Sequence, residues 1–264
     1  MTVSVIGSCG FRSAGQKDQM PLPAFFRLSV DYALPPRCPI CGVTVDADNR
    51  FCLTCWQQLD FLAKPWCAAC GIPLAFDHPE DSRCAKCLID PPVHDGVRAV
   101  VRYDDRSSLI AMRLKYGTRL GLAKLIAQHL QKFVADCDGD AIIVPVPLHR
   151  SRLWRRGFNQ SVLIGKELAR ATGMQMDYKV IFRSKLTPPL RGMSGVQRRK
   201  IVDSAFALRA DAHERLAGKP VLLIDDVYTS GSTSSACARL LKKAGAEQVL
   251  VLCWARVISD VEYG

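Results

Sequence analysis

One stretch, Val221-Leu-Leu-Ile-Asp225-Asp226-Val-Tyr228-Thr229-Ser230-Gly231-Ser232-Thr233, has the residue types needed to hold a sugar phosphate. Its apolar start reads as a buried strand. Two carboxylates follow, then a loop of hydroxyls and a glycine that leads into a helix. Such a loop wants a phosphate: Gly231 lets the backbone approach closely, the helix start adds its partial positive charge, and Thr229, Ser230, Ser232 and Thr233 each offer a hydroxyl. Asp225 and Asp226 repel that phosphate and suit ribose hydroxyls or Mg²⁺. A sugar phosphate with metal-bound anionic groups satisfies both halves. The plainer reading is an ordinary acid pair after a strand with a helix cap beyond it. The chain has no Gly-x-x-x-x-Gly-Lys-Ser/Thr loop and no Gly-x-Gly-x-x-Gly after a strand, which argues against an ordinary NTPase or dinucleotide site.

A second chemistry lies in the cysteines. Eight of the twelve form four Cys-x-x-Cys pairs, Cys38/Cys41, Cys52/Cys55, Cys67/Cys70 and Cys84/Cys87. Two residues between thiolates make a tight knuckle, and two knuckles supply the four sulfurs that zinc prefers; redox dithiols are the other reading. Ten residues separate the first two pairs and thirteen the last two. Sequential sites, Cys38/Cys41/Cys52/Cys55 and Cys67/Cys70/Cys84/Cys87, close shorter loops than an interleaved arrangement and are favoured for that reason. With four cysteines each and no open position, two structural zinc ions are expected, standing in for a core that so short a module cannot build. Cys9, Cys137, Cys237 and Cys253 read as small hydrophobes. His78 and His94 read as surface residues rather than ligands.

Arginine is concentrated in His149-Arg150-Ser-Arg152-Leu-Trp-Arg155-Arg156, directly after a strand, and a second basic stretch runs over 183–200. Arginines interleaved with an aromatic suit single-stranded nucleic acid, through phosphate contacts and base stacking; they equally suit pyrophosphate, or a solvated face. The net charge of +11 favours polyanionic partners in general. No apolar run is long enough to span a bilayer, and cysteine pairs of this kind point to a cytoplasmic protein.

These groups need a scaffold. Residues 1–21 lack periodicity and are expected to form a disordered tail; residues 22–92 are expected to hold a helix at 22–34 and the cysteine module; residues 95–264 read as an α/β domain. Within it, strands are expected over 97–103, 141–147, 221–224 and 248–253. Helices are expected over 107–133 (broken at 117–121), 160–171 and 234–244, with Gly173 and Gly245 as stops. Alternating strands and helices predict a mainly parallel sheet with flanking helices.

The stretch 221–233 resembles the phosphoribosyl-pyrophosphate (PRPP) signature of type I phosphoribosyltransferases. From about residue 22 to 256 the chain resembles the ComF/GntX family of competence-associated proteins. The matching marks are the cysteine pairs, Leu114-Lys115-Tyr116, Val144-Pro-Val-Pro-Leu-His149, Arg156-Gly-Phe-Asn-Gln160, Arg198, Ala205-Phe206, the PRPP signature and Ala255-Arg256. The resemblance implies a small double zinc ribbon followed by a type I phosphoribosyltransferase-like domain. In that domain Asp225 and Asp226 would grip ribose hydroxyls, and Tyr228 to Thr233 would cradle the 5′-phosphate of Mg-bound PRPP. Lys115, His149, Arg150, Arg152, Arg155 and Arg156 would contact pyrophosphate or nucleic acid. The chain departs from the family at Leu190 and Ile201, where Gln and Asn are usual. No catalytic residue is assigned. The resemblance leaves two functions open, pentosyl transfer from PRPP, or a non-catalytic scaffold for single-stranded DNA and for other DNA-uptake proteins.

Overall fold

The computed structural model describes residues 35–75, 79, 81–117, 119–134, 140–186, 201 and 203–258. The chain divides into two units, Met1–Pro36 and Arg37–Gly264, and every element named here belongs to the second. The expected tail and the helix at 22–34 lie outside the described residues, as do His78 and Arg198.

Two short helices sit among the cysteines, α1 (Leu53–Gln57) and α2 (Ala85–Ile89). Then come β1 (Gly96–Arg102), α3 (Asp105–Lys115) and α4 (Leu122–Leu130), which tightens into a 3-10 turn at Gln131–Phe133. After β2 (Ile142–Pro145) follow α5 (Arg150–Arg156) and α6 (Gln160–Thr172). The last third contains β3 (Ile181–Arg183), β4 (Phe206–Leu208), α7 (Ala212–Leu216), β5 (Val221–Tyr228), α8 (Ser232–Lys243) and β6 (Val249–Arg256).

Local chemistry sets several of these boundaries. Asp104 opens α3 by accepting from the amides of Arg106 and Ser107, while the Ser107 hydroxyl accepts from the Asp104 amide. That reciprocal pair satisfies donors the first turn would otherwise leave bare. Asn159 opens α6 with a one-way cap, its side-chain oxygen accepting from the Ser161 amide at 3.0 Å, and Gly173, at φ 76°, stops it.

Four strands form one parallel sheet in the order β1-β6-β5-β2, and β3 pairs with β4 in a separate antiparallel ribbon. The central strands are apolar on both faces, as a sheet covered on both sides requires. One face, with Leu222, Ile224, Leu252 and Trp254, packs under α3, α4 and α6. The other, with Val221, Leu223, Val251 and Cys253, packs under α8 and the β3-β4 ribbon.

The cysteine module straddles the β1 margin of this sheet. Leu62 donates to the Val100 carbonyl (3.0 Å) and Arg102 donates to the Asp60 carbonyl (2.8 Å), so a short antiparallel segment covers backbone that an edge strand would leave open. Its two halves then part. Cys38 and Cys55 are buried in the core of one face, Cys67, Cys70 and Cys87 in the core of the other. An aromatic group of Phe51, Trp56, Phe61, His129 and Trp254 seals the first contact, with Trp56 and Phe61 centroids 4.4 Å apart. Burial pushes the His129 pKa down, which keeps the imidazole neutral in this apolar setting.

Most expected elements are present; α7 was not expected, β6 runs three residues further than expected, and three other differences bear on the site. β5 is eight residues long and runs through the acid pair to Tyr228 instead of stopping at Ile224. The arginine stretch after β2 is a helix, α5, capped by His149. β3 and β4, three residues each, had no sequence signal.

Candidate functional site

Asp225 and Asp226 lie within β5, and the pleat sends them to opposite faces. Asp226 is buried. Its Oδ2 lies 2.8 Å from the Lys115 ammonium at the end of α3, and its Oδ1 accepts from the Gln160 amide at 3.3 Å. Arg156 donates in turn to Gln160 (3.4 Å). A line Lys115, Asp226, Gln160, Arg156 thus joins α3, β5, α6 and α5, bringing two of the basic candidates to one of the acidic ones.

Asp225 turns toward Cys237 and Cys253, and its Oδ1 accepts from the Asp226 amide at 2.9 Å. Burial, and then the neighbouring Asp226 charge, push its pKa up to about 8, so near neutral pH it is largely protonated. The two carboxylates therefore differ in setting as well as direction, one ion-paired, the other pushed toward its protonated form by burial.

Beyond β5 the chain turns through Thr229 to Gly231 into α8. Among the described residues no protein group accepts from the amides of Thr229 to Ser234, so the turn and the first turn of α8 present a row of donors. The Ser230 and Ser232 hydroxyls lie 2.8 Å apart at the mouth of this row. Gly231 sits at φ 71°, and a methyl group there would collide with the Tyr228 hydroxyl. We predict that Gly231→Ala costs about 1–3 kcal/mol, from the left-handed backbone and the displaced ring. A thermal melt within about 1 °C of the parent would refute this.

Tyr228 is held from beneath. Its hydroxyl lies 3.1 Å from His94 Nε2, and the Arg256 guanidinium stacks over its ring at 5.0 Å. His94 is 2 % exposed, so the expectation of a surface histidine is wrong. The connector that carries it stays at the surface, with Pro91 and Asp95 exposed, and only the His94 ring turns inward to meet Tyr228. Burial lowers its pKa to about 4, which leaves it a neutral partner for the tyrosine. Gln160, His94 and Arg256 help form the site although residue types alone did not single them out. The signal for Gln160 was a polar residue directly after the Asn159 cap.

The remaining basic candidates lie on α5. His149 caps the helix by accepting from the Ser151 amide at 3.2 Å. Arg150, Leu153 and Trp154 border a shallow, open surface beside Gly157, and Trp154 is 90 % exposed. Of the α5 arginines, Arg156 reaches the acidic line through Gln160, and an aromatic face lies open to solvent beside the others.

The cysteines form two groups, Cys38/Cys41/Cys52/Cys55 and Cys67/Cys70/Cys84/Cys87, with all four sulfurs of each within 4.8 Å of one another. This is the sequential pairing. A tetrahedral zinc with Zn–S bonds of about 2.3 Å sets its sulfurs about 3.8 Å apart. Cys41 and Cys52 are 3.6 Å apart and Cys70 and Cys84 3.7 Å, so both groups fit that ion. Amides of Cys55, Cys70 and Cys84 point at sulfurs, as zinc knuckles require. Hydrogen bonding from the Cys70 thiol, reinforced by nearby amides, outweighs burial and holds Cys67 at about 4, a thiolate ready for metal. Among the described residues no helix is long and apolar enough to cross a membrane.

The double zinc ribbon domain family matches residues 29–88. Competence protein F of Haemophilus influenzae is 31% identical over 216 residues, which cover 80% of this chain and 92% of that protein. The DNA utilization protein YhgH of Salmonella typhimurium is 34% identical over 198 residues, 73% of this chain and 84% of the relative. Among solved structures, an adenine phosphoribosyltransferase from Thermoanaerobacter pseudethanolicus superposes with a TM-score of 0.34 at 16% identity, covering 53% of this chain and 83% of that one. With its two four-cysteine clusters, its parallel sheet and relatives matched over nearly their whole length, the chain belongs to the ComF family of competence-associated proteins.

Proposed function

We propose that the protein binds PRPP or a closely related phosphorylated ribose, with Mg²⁺, along the 225–233 segment, and that it does so in the cytoplasm in the service of DNA uptake or nucleotide metabolism. The observation that carries this reading is the row of amides from Thr229 to Ser234, which no acceptor among the described residues engages, set at the start of α8 and separated from the acid pair by two residues. A phosphate meets the amides and hydroxyls; Asp225 meets the sugar or its cation; Lys115 and Arg156, the two ends of the acidic line, supply positive charge for the anionic leaving group. Bound Mg²⁺ would neutralise pyrophosphate charge, with Asp225, the half-buried one of the two acids, as the carboxylate that meets it.

Calorimetry tests this. PRPP with Mg²⁺ should bind, and Asp225→Asn with Asp226→Asn should abolish the heat. The pH dependence has a definite sign. Because Asp225 is held up to about 8, a ligand that needs its carboxylate must first remove a proton below that pH. Affinity should therefore climb by as much as about tenfold per unit from pH 6.5 to 8 and level off above. A flat profile would remove Asp225 from the site.

A second reading rests on Trp154, 90 % exposed on the arginine-bearing α5. Such a surface suits a single strand, the ring stacking on a base while arginines meet phosphates. Relatives named for competence and DNA utilization accord with it. Silence to PRPP together with salt-sensitive single-strand binding that Trp154→Ala removes would place the function there instead.

A further inference from the structure

Between the hydroxyl turn and the second cysteine cluster lies a cavity of about 290 Å³. One wall is Thr229, Ser230, Ser232 and Ser235 at the start of α8, with Arg239 one turn further along the helix and Arg256 at the end of β6. The opposite wall comes from the cysteine module: Cys70, Lys86 and Cys87, continued by Asp90 to Val93.

The chemistry of this space is anionic recognition. Three cationic side chains line it against one carboxylate, Asp90, and four hydroxyls share the same wall. Arg256 is 4 % exposed and fixed over the Tyr228 ring, so its charge is carried on a rigid mount. Arg239 is steadied by Asp203 at 2.5 Å. Lys86 lies between Cys84 and Cys87, two of the four sulfurs of the second cluster, so a metal there also fixes where Lys86 stands.

We propose that the zinc ribbon is part of the ligand site: Lys86, presented by the second cluster, contacts the phosphate end of the sugar phosphate held by the hydroxyl turn. This rests on the reading that a phosphorylated ribose binds the turn, and it extends that reading across the cavity. The ribbon then does more than staple the sheet edge. It closes the pocket, and zinc occupancy at Cys67/Cys70/Cys84/Cys87 governs phosphate affinity.

The test is calorimetric titration of the full chain with ribose 5-phosphate, which carries only the end in question, and with PRPP and Mg²⁺. Lys86→Glu should weaken ribose 5-phosphate by about tenfold or more, the scale of one charge-assisted contact. Lys179→Glu, an exposed lysine away from the cavity, changes net charge equally and should stay within about twofold. Zinc content, measured on the same samples, should remain at two per chain. If Lys86→Glu loses zinc, the milder Lys86→Gln decides, with about threefold weakening expected at full zinc occupancy. Wild-type binding with both Lys86 variants equal to Lys179→Glu would overturn this inference and leave the PRPP reading standing. A wild-type protein silent to both ligands would overturn both.

Discussion

Replacing Cys67 with serine lowers the melting temperature by roughly 4–20 °C and removes one of two zinc ions. Cys67 is fully buried, and with Cys70 and Cys87 it sits in the same apolar cluster as Val97, Val251 and Ala236. Losing the ion there releases two buried thiols, Cys70 and Cys87, and the half-buried Cys84 without the bond that gathered them. Disrupting a buried position costs about 2–5 kcal/mol, and in a domain of this size each kcal/mol moves the melting point by about 2–4 °C. A ribbon hanging off the domain by a linker would behave otherwise, unfolding alone and leaving the sheet's transition in place. Scanning calorimetry with metal analysis separates the two. Two independent transitions, the larger unmoved in Cys67→Ser, would show that the cluster is not part of the core.

The second large effect is expected at Asp226. Removing its carboxylate in Asp226→Ala leaves the Lys115 ammonium and the Gln160 amide facing a buried space with nothing to accept from them. Breaking one side of a fully buried pair costs about 3–5 kcal/mol; the Lys115 side chain retains 27% of its exposure, so water screens part of this, and about 2–3 kcal/mol is the expected loss. Lys115→Met in the same background should recover much of it, because it withdraws the orphaned charge. If the double variant is no more stable than Asp226→Ala, the pair is not what holds the ends of α3 and β5 together.

The two cysteine groups and their sequential pairing were legible from spacing and loop closure, and the βα alternation from apolar periodicity. What escaped has physical causes. β5 was read as ending at Ile224 because carboxylates rarely continue a buried strand, yet Asp226 is tolerated there by Lys115, a partner 111 residues away in the chain. α5 has four arginines in seven residues, so it carries no apolar stripe to announce a helix. β3 and β4 owe their pairing to tertiary packing across a long connection, which no local pattern records. His94 looked superficial because its neighbours are prolines and an aspartate; only the position of Tyr228 makes that site an interior one.

Both margins of the four-stranded sheet are occupied. Residues 60–62 lie against β1, and at the opposite end Ile143 of β2 exchanges backbone bonds with Gln175 and Asp177. An extended peptide therefore finds little room to dock by lengthening this sheet, the route by which many adaptors recruit their clients. A partner must therefore grip helices and turns, where side chains and the amides at the start of α8, rather than an open strand edge of this sheet, make the choice.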